Sequence, residues 1–96
     1  MARYVLLLKW TQQGIKNVKE TVDRAAAART LCEKAKAKLT SIVWTLGPYD
    51  LVIQAEAPDD ETITAVSISL AKLGNVTTTT MRAFDETEMG KIVQKV

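Results

Sequence analysis

The chain has 96 residues, 47% of them apolar and 25% charged, with a net charge of +2. That length suits one domain built on one core, that composition excludes a disordered chain, and so small a charge gives no basis for nucleic-acid binding. The complete lack of histidine excludes Ser-His-Asp and Cys-His nucleophilic machinery, histidine-ligated zinc or iron, and a proximal-His haem.

Residues 3–10 read as a strand, because β-branched, aromatic and leucine side chains run together without a break. Thr11-Gln12-Gln13-Gly14 interrupts it, and Ile15 and Val18, three apart, predict a single helical turn. A full helix is predicted over 22–38, capped by Thr21. Ala28, Leu31, Cys32 and Ala35 form its apolar stripe, extended by Ala25 and Leu39. Cys32, inside that stripe, reads as a small buried hydrophobe rather than a reactive thiol.

Residues 39–46 and 49–57 read as two strands joined through Gly47-Pro48, a hairpin signal. Pro58-Asp59-Asp60-Glu61 opens the second helix, where acids satisfy free amides and complement the helix dipole. This reading prevails over a hard-metal site of the same composition. Ile63, Val66, Leu70 and Leu73 give that helix a buried stripe, and Gly74 stops it. Residues 75–83 are the fourth strand. Asp85 with Glu88 then has the form of a capping box and Phe84 with Met89 that of a hydrophobic staple, opening a short terminal helix through Val93.

The order β-α-β-β-α-β plus a terminal helix, with right-handed crossovers, predicts an α+β ferredoxin-like sandwich spanning residues 1–96 as one domain. Two helices cover only one face of a four-stranded sheet, so a monomer needs the other face to be polar. The strands do not supply that. Val5 and Leu7 oppose Tyr4, Leu6, Leu8 and Trp10; Val43 opposes Ile42, Trp44 and Leu46; Val52 opposes Leu51 and Ile53. Apolar side chains on both faces predict self-association, with the terminal helix covering part of the second face.

Lone Cys32 forbids an intrachain disulfide and points to a reducing cytoplasm. The longest apolar run, residues 4–8, falls far short of the roughly 20 residues of a membrane span, and Met1-Ala2-Arg3 before it does not read as a signal peptide. Residues 1–48 carry nine Lys/Arg against three acids, and residues 49–96 four against eight. The plain reading is a basic first helix and an acidic second half, both solvated.

Candidate site residues gather where the first strand ends. Trp10, Thr11 and Gln13 lie there, and the topology brings that end near Arg24 in the first turn of the first long helix. Arg24 either reaches a pocket over the sheet edge or runs to solvent or a nearby carboxylate. Tyr49 and Asp50 follow the hairpin turn; Asp50 is either a general base or, more commonly at such a place, a tie for turn amides. Trp44 ends the second strand. Arg82 ends the fourth and pairs with an anion or with an acid of the terminal helix. No Gly-rich phosphate loop or cysteine cluster is present, so no cofactor or metal is expected.

Gly47-Pro48-Tyr49-Asp50 leads into Leu51-Val52-Ile53 and then Glu56-Ala57-Pro58-Asp59-Asp60. With Tyr4-Val5-Leu6-Leu7, Thr11-Gln12-Gln13-Gly14-Ile15, Lys19, Arg24, Leu73-Gly74-Asn75-Val76 before Thr79, and Arg82-Ala83-Phe84, this combination resembles the GYD-domain family of small bacterial and archaeal proteins, named for a Gly-(x)-Tyr-Asp motif. One departure is Asp23, where many members carry Pro, which bears on how the chain enters the first long helix. The resemblance implies a dimeric α/β-barrel assembly in which two ferredoxin-like sheets pack face to face. It implies no activity, because the family has no settled function, and the cofactor-free monooxygenases among barrel relatives are an analogy of fold alone.

Three functions compete. A non-enzymatic homo-oligomer that binds a small molecule or serves assembly fits the missing catalytic chemistry best. A cofactor-independent enzyme would use Trp10, Arg24, Trp44, Tyr49 and Asp50 around a pocket. Nucleic-acid binding through Lys34, Lys36 and Lys38 would show steep salt dependence and is the least favoured.

Overall fold

A computed structural model describes residues 1–96. It places β1 (Ala2–Trp10), α1 (Gln12–Lys16), a 3₁₀ turn (Val18–Glu20), α2 (Thr21–Lys34), β2 (Lys38–Trp44), β3 (Leu51–Ala57), α3 (Asp60–Ala71), β4 (Val76–Ala83) and α4 (Glu86–Val93) along the chain. The strands form one sheet in the order β2-β3-β1-β4, every pair antiparallel, with Leu6 opposite both Ile53 and Thr80. This is the ferredoxin-like arrangement. No helix is long and apolar enough to cross a membrane.

Period-two alternation sorts the side chains of β1. Tyr4, Leu6 and Leu8 point under α2 and α3 and are removed from water, together with Leu51, Ile53, Ala55 and Ala57 of β3. Ala28 and Cys32 of α2 and Ile63 and Val66 of α3 close the core from above. Burial, then the neighbouring Glu33, pushes the Cys32 thiol up, which keeps it protonated and inert.

On the opposite face Val43, Val52 and Leu7 lie side by side across β2, β3 and β1, and Val5 neighbours Met81 of β4. Val43 is 49% exposed and Met81 41%, so this apolar row meets solvent in the single chain. α4 leaves the row open at Val43 and Met81, and none of its own residues is buried. Its capping box forms through Asp85 and Glu88, but Phe84 and Met89 stay half-exposed, so the expected staple does not shield them. The Glu88 carboxyl is held below the usual range by the Asp85 amide and then by Arg82.

Helix boundaries depart from the sequence expectation around α2. The 3₁₀ turn runs straight into α2, so Thr21 lies inside the helix instead of capping it, and Glu20 at the cap accepts no capping bond from the helix amides. At the other end α2 stops at Lys34, because Lys36 takes φ 65. Its amide donates to the Glu33 carbonyl and the Ala37 amide to the Cys32 carbonyl, a Schellman closure made without glycine. The chain is thereby turned early enough for β2 to start at Lys38. Thr40 forms a bulge between Leu39 and Ser41, which keeps Leu39, Ile42 and Trp44 on the helix side. β2 ends at Trp44, so Leu46 lies in the connecting loop, fully exposed.

Tyr4 ties the sheet to α3. Its hydroxyl donates to Asp60 Oδ1, while Asp59 caps the helix by accepting from the Thr62 amide at 2.8 Å and hydroxyl at 2.6 Å. Those two bonds, the hydroxyl's first, hold the Asp59 carboxyl below the usual range. Burial and then the bond to Asp60 push the Tyr4 phenol up from 10.0 to about 12. A raised folded-state pKa contributes stability that is fully present below pH 10 and is lost as pH climbs through 12. Thermal melts between these limits are therefore expected to fall with pH, and Tyr4→Phe is expected to flatten that dependence. An equally steep fall in the variant would remove Tyr4 as its source.

Candidate functional site

The core is incomplete at one end. α2 presents Ala25, Ala27 and Ala28 to the sheet, and side chains this small do not reach the floor formed by Leu8, Leu51 and Ile53. A cavity of about 130 Å³ remains between α2, α3 and the sheet, walled further by Leu31, Ile42, Leu70 and Leu73. Interiors normally close such gaps to near-crystalline density, so an apolar hollow of this size is notable in so small a domain. Trp10 and Val76 lie at its end, and its polar lining is Thr21, Arg24 and Asn75.

Arg24 is the one ionisable side chain on this lining. Its Nη2 donates to Glu20 Oε2 at 2.9 Å, one turn back along the chain. The side chain is only 27% exposed, against 67% for Glu20. Nη1 is buried and has no hydrogen-bond partner. An exposed pair spaced i,i+4 stabilises by about 0.3–0.5 kcal/mol. A buried donor left unmade costs about 1–3 kcal/mol, and more when it is charged. The ion pair therefore does not account for where Nη1 lies.

Of the other candidate residues, Trp10 shares the cavity lining with Arg24. Trp44 touches its edge indirectly, its Nε1 donating to Thr21 Oγ1 at 3.0 Å. That bond uses the hydroxyl that the 3₁₀ turn frees from capping. Thr11 and Gln13 are fasteners: Thr11 caps α1 through the Gly14 amide and donates its hydroxyl to the Gly74 carbonyl. Gln13 Nε2 donates to the Leu73 carbonyl at 3.2 Å and to Asn75 Oδ1 at 3.0 Å. The Tyr49 carbonyl accepts from the Thr45 hydroxyl at 2.7 Å.

Asp50 lies off the cavity. Its Oδ2 accepts from the Trp10 amide at 2.8 Å and its own amide donates to the Leu8 carbonyl at 2.8 Å. Its carboxylate thus ties down a backbone amide at the end of β1. Arg82 is separated from all of these. The antiparallel β1–β4 register sets it opposite Tyr4, at the far end of the strand from Trp10. There it pairs with Glu88 at 3.2 Å, lies over the Phe84 ring at 4.6 Å and donates to the Arg3 and Ala83 carbonyls. Thr21, Asn75, Ala25, Ala27 and Ala28 were not among the candidates; an alanine-rich helix turn set over bulky strands was the available signal.

A family model for the GYD domain matches residues 4–93. The chain belongs to the GYD-domain family. No curated protein matches it. Among solved structures the GYD domain is similar to MtbAldR, with a TM-score of 0.68 and 10% identity over 88% of this chain and 54% of that one. It is also similar to TTHA0845 from Thermus thermophilus, with a TM-score of 0.58 and 22% identity over 88% of this chain and 95% of that one. This chain spans about half the length of MtbAldR, and at these identities the likeness is one of fold. In this GYD domain the motif that gives the family its name acts on the backbone. Gly47 takes φ 106 in the β2–β3 loop and Asp50 holds the end of β1, which positions Trp10 on the cavity wall.

Proposed function

We propose that this GYD domain is a non-enzymatic small-ligand-binding module that works in the cytoplasm as a homo-oligomer. The observation that carries the proposal is an apolar cavity whose only ionisable lining group is an arginine. A guanidinium stays protonated at any physiological pH, so it holds an anion or a dipole but trades no proton with it. The groups that do titrate are engaged elsewhere: the Asp50 carboxylate on the Trp10 amide, the Tyr4 hydroxyl on Asp60, and the Cys32 thiol in the core. A binding role therefore has better support than acid–base catalysis.

Support for self-association comes from the uncovered sheet face, where Val5, Leu7, Val43, Val52 and Met81 meet solvent in a single copy. A second copy presenting the same face would bury this row by a self-complementary contact. Native mass spectrometry of the purified protein tests both parts at once. A dimer or larger species, carrying or accepting a small molecule, is the expected result. A bare monomer that accepts none would overturn the proposal.

A further inference from the structure

We infer that the cavity takes a small monocarboxylic acid with an apolar body, of about the bulk of benzoate, held through Arg24. This rests on the ligand-binding reading above and adds the chemical class. The first ground is the guanidinium. Glu20 occupies Nη2 at 2.9 Å, while Nη1 is out of solvent with no acceptor in the chain, on a residue that lines the cavity. Water does not complete its bonds, since the atom is inaccessible, and no carboxylate or carbonyl of the chain does so. An acceptor seated in the cavity would do so once a turn of the guanidinium brings Nη1 to the cavity surface.

The second ground is the remainder of the lining. Asn75 Oδ1 is taken by Gln13, and its Nδ2 makes no bond within the chain. Thr21 Oγ1 already accepts from Trp44 and keeps its own hydrogen to donate. The polar lining thus offers one cation, which Glu20 bonds through Nη2 alone, and two neutral donors. That set suits a single carboxylate; a phosphate dianion needs several cations or a cluster of backbone amides. The third ground is size. An apolar cavity of about 150 Å³ accommodates benzene, and this one measures about 130 Å³. A six-carbon ring or a short branched chain fills it, leaving the carboxylate at the polar end beside Arg24.

The test uses the full chain and the isosteric pair benzoate and benzamide, followed by calorimetry and by the fluorescence of Trp10 on the cavity wall. Benzoate is expected to bind about tenfold to a hundredfold more tightly, the worth of a hydrogen bond to a charged group. Arg24→Gln is expected to bring benzoate down to the affinity of benzamide and leave benzamide unchanged. Ala28→Leu, which fills the cavity, is expected to abolish both. Equal binding of the two ligands by the native protein, or a preference that survives Arg24→Gln, overturns the carboxylate assignment and leaves the ligand-binding reading standing. Binding of neither at millimolar concentration overturns both. Should Arg24→Gln fail to fold, the comparison on the native protein alone still decides.

Discussion

The Gly14→Ala variant is expected to unfold at a markedly lower urea concentration than the native chain, with a loss on the order of 3 kcal/mol. Gly14 is buried in α1, and a Cβ built on it would lie 2.0 Å from the Asn75 carbonyl oxygen and 3.0 Å from its carbon. Both are backbone atoms, which cannot swing aside as a side-chain end can. Relief requires α1 to lift off the segment before β4, and that segment is where α1 is fastened. The Asn75 carbonyl accepts from the Thr11 amide at 3.0 Å, the Gly74 carbonyl from the Thr11 hydroxyl, and the Leu73 carbonyl from Gln13. Overpacking typically costs about 1–3 kcal/mol, and each neutral hydrogen bond lost adds about 1 kcal/mol. An unchanged denaturant slope with a lowered midpoint would show that stability alone has moved. Gly90→Ala in α4 is the control. Nothing lies within 4 Å of its added Cβ, so it is expected to be neutral or to gain up to about 1 kcal/mol from helix propensity. A Gly14→Ala variant as stable as the Gly90→Ala variant would contradict the close approach. Because Asn75 and Trp10 both line the cavity, the same variant is also expected to bind benzoate more weakly.

What could be read from the residues follows the range of the interaction behind each feature. The two faces of β1 were legible because a period of two needs only neighbours to declare itself, and the structure buries Tyr4, Leu6 and Leu8 while leaving Val5 and Leu7 toward solvent. Asp59 and Asp85 were legible as caps because a cap acts within three residues, and each accepts from the amide three positions on. Around α2 the competing local signals misled. Thr21 has the chemistry of a cap, but an unbroken 3₁₀ turn before it satisfies the geometry without one. Lys36 does the work usually given to glycine at a helix end, and nothing in its side chain announces a positive φ. α1, five residues long, is too short to show a helical period, and only the Thr11 cap marks it.

The cavity is harder still to read, because a void belongs to the facing of two elements and to no run of residues. The run Ala25–Ala28 is helix-favourable on its own terms, and three of its alanines, Ala25, Ala27 and Ala28, become a roof over empty space only when set above Leu8, Leu51 and Ile53. The distance between Arg82 and Trp10, in contrast, was available from topology. An antiparallel β1–β4 pair necessarily sets the end of β4 against the start of β1.

Replacing Leu7 and Val52 together by lysine is expected to leave a folded monomer. The two side chains are direct cross-strand partners on the uncovered face, with Val43 next to Val52 on the same row. In a single copy each lysine would carry its ammonium into water along an aliphatic stem, so the fold is expected to lose no more than about 1 kcal/mol. Between two sheets packed face to face the same ammoniums would be trapped among apolar side chains and near their symmetry mates. Burying an unpaired charge costs several kcal/mol per ion, which exceeds what a small two-fold interface can spare. Sedimentation velocity should therefore show one slow species with native far-ultraviolet circular dichroism. Leu8→Lys, one residue along, is the opposite case. The step of one position turns the side chain under the helices, where Leu8 is 3% exposed, so the chain itself is expected to unfold. A double variant that keeps the native oligomer would show that some other surface holds the subunits together. A native protein that is already monomeric would show that the apolar row remains open, and the self-association half of the proposed function would fall.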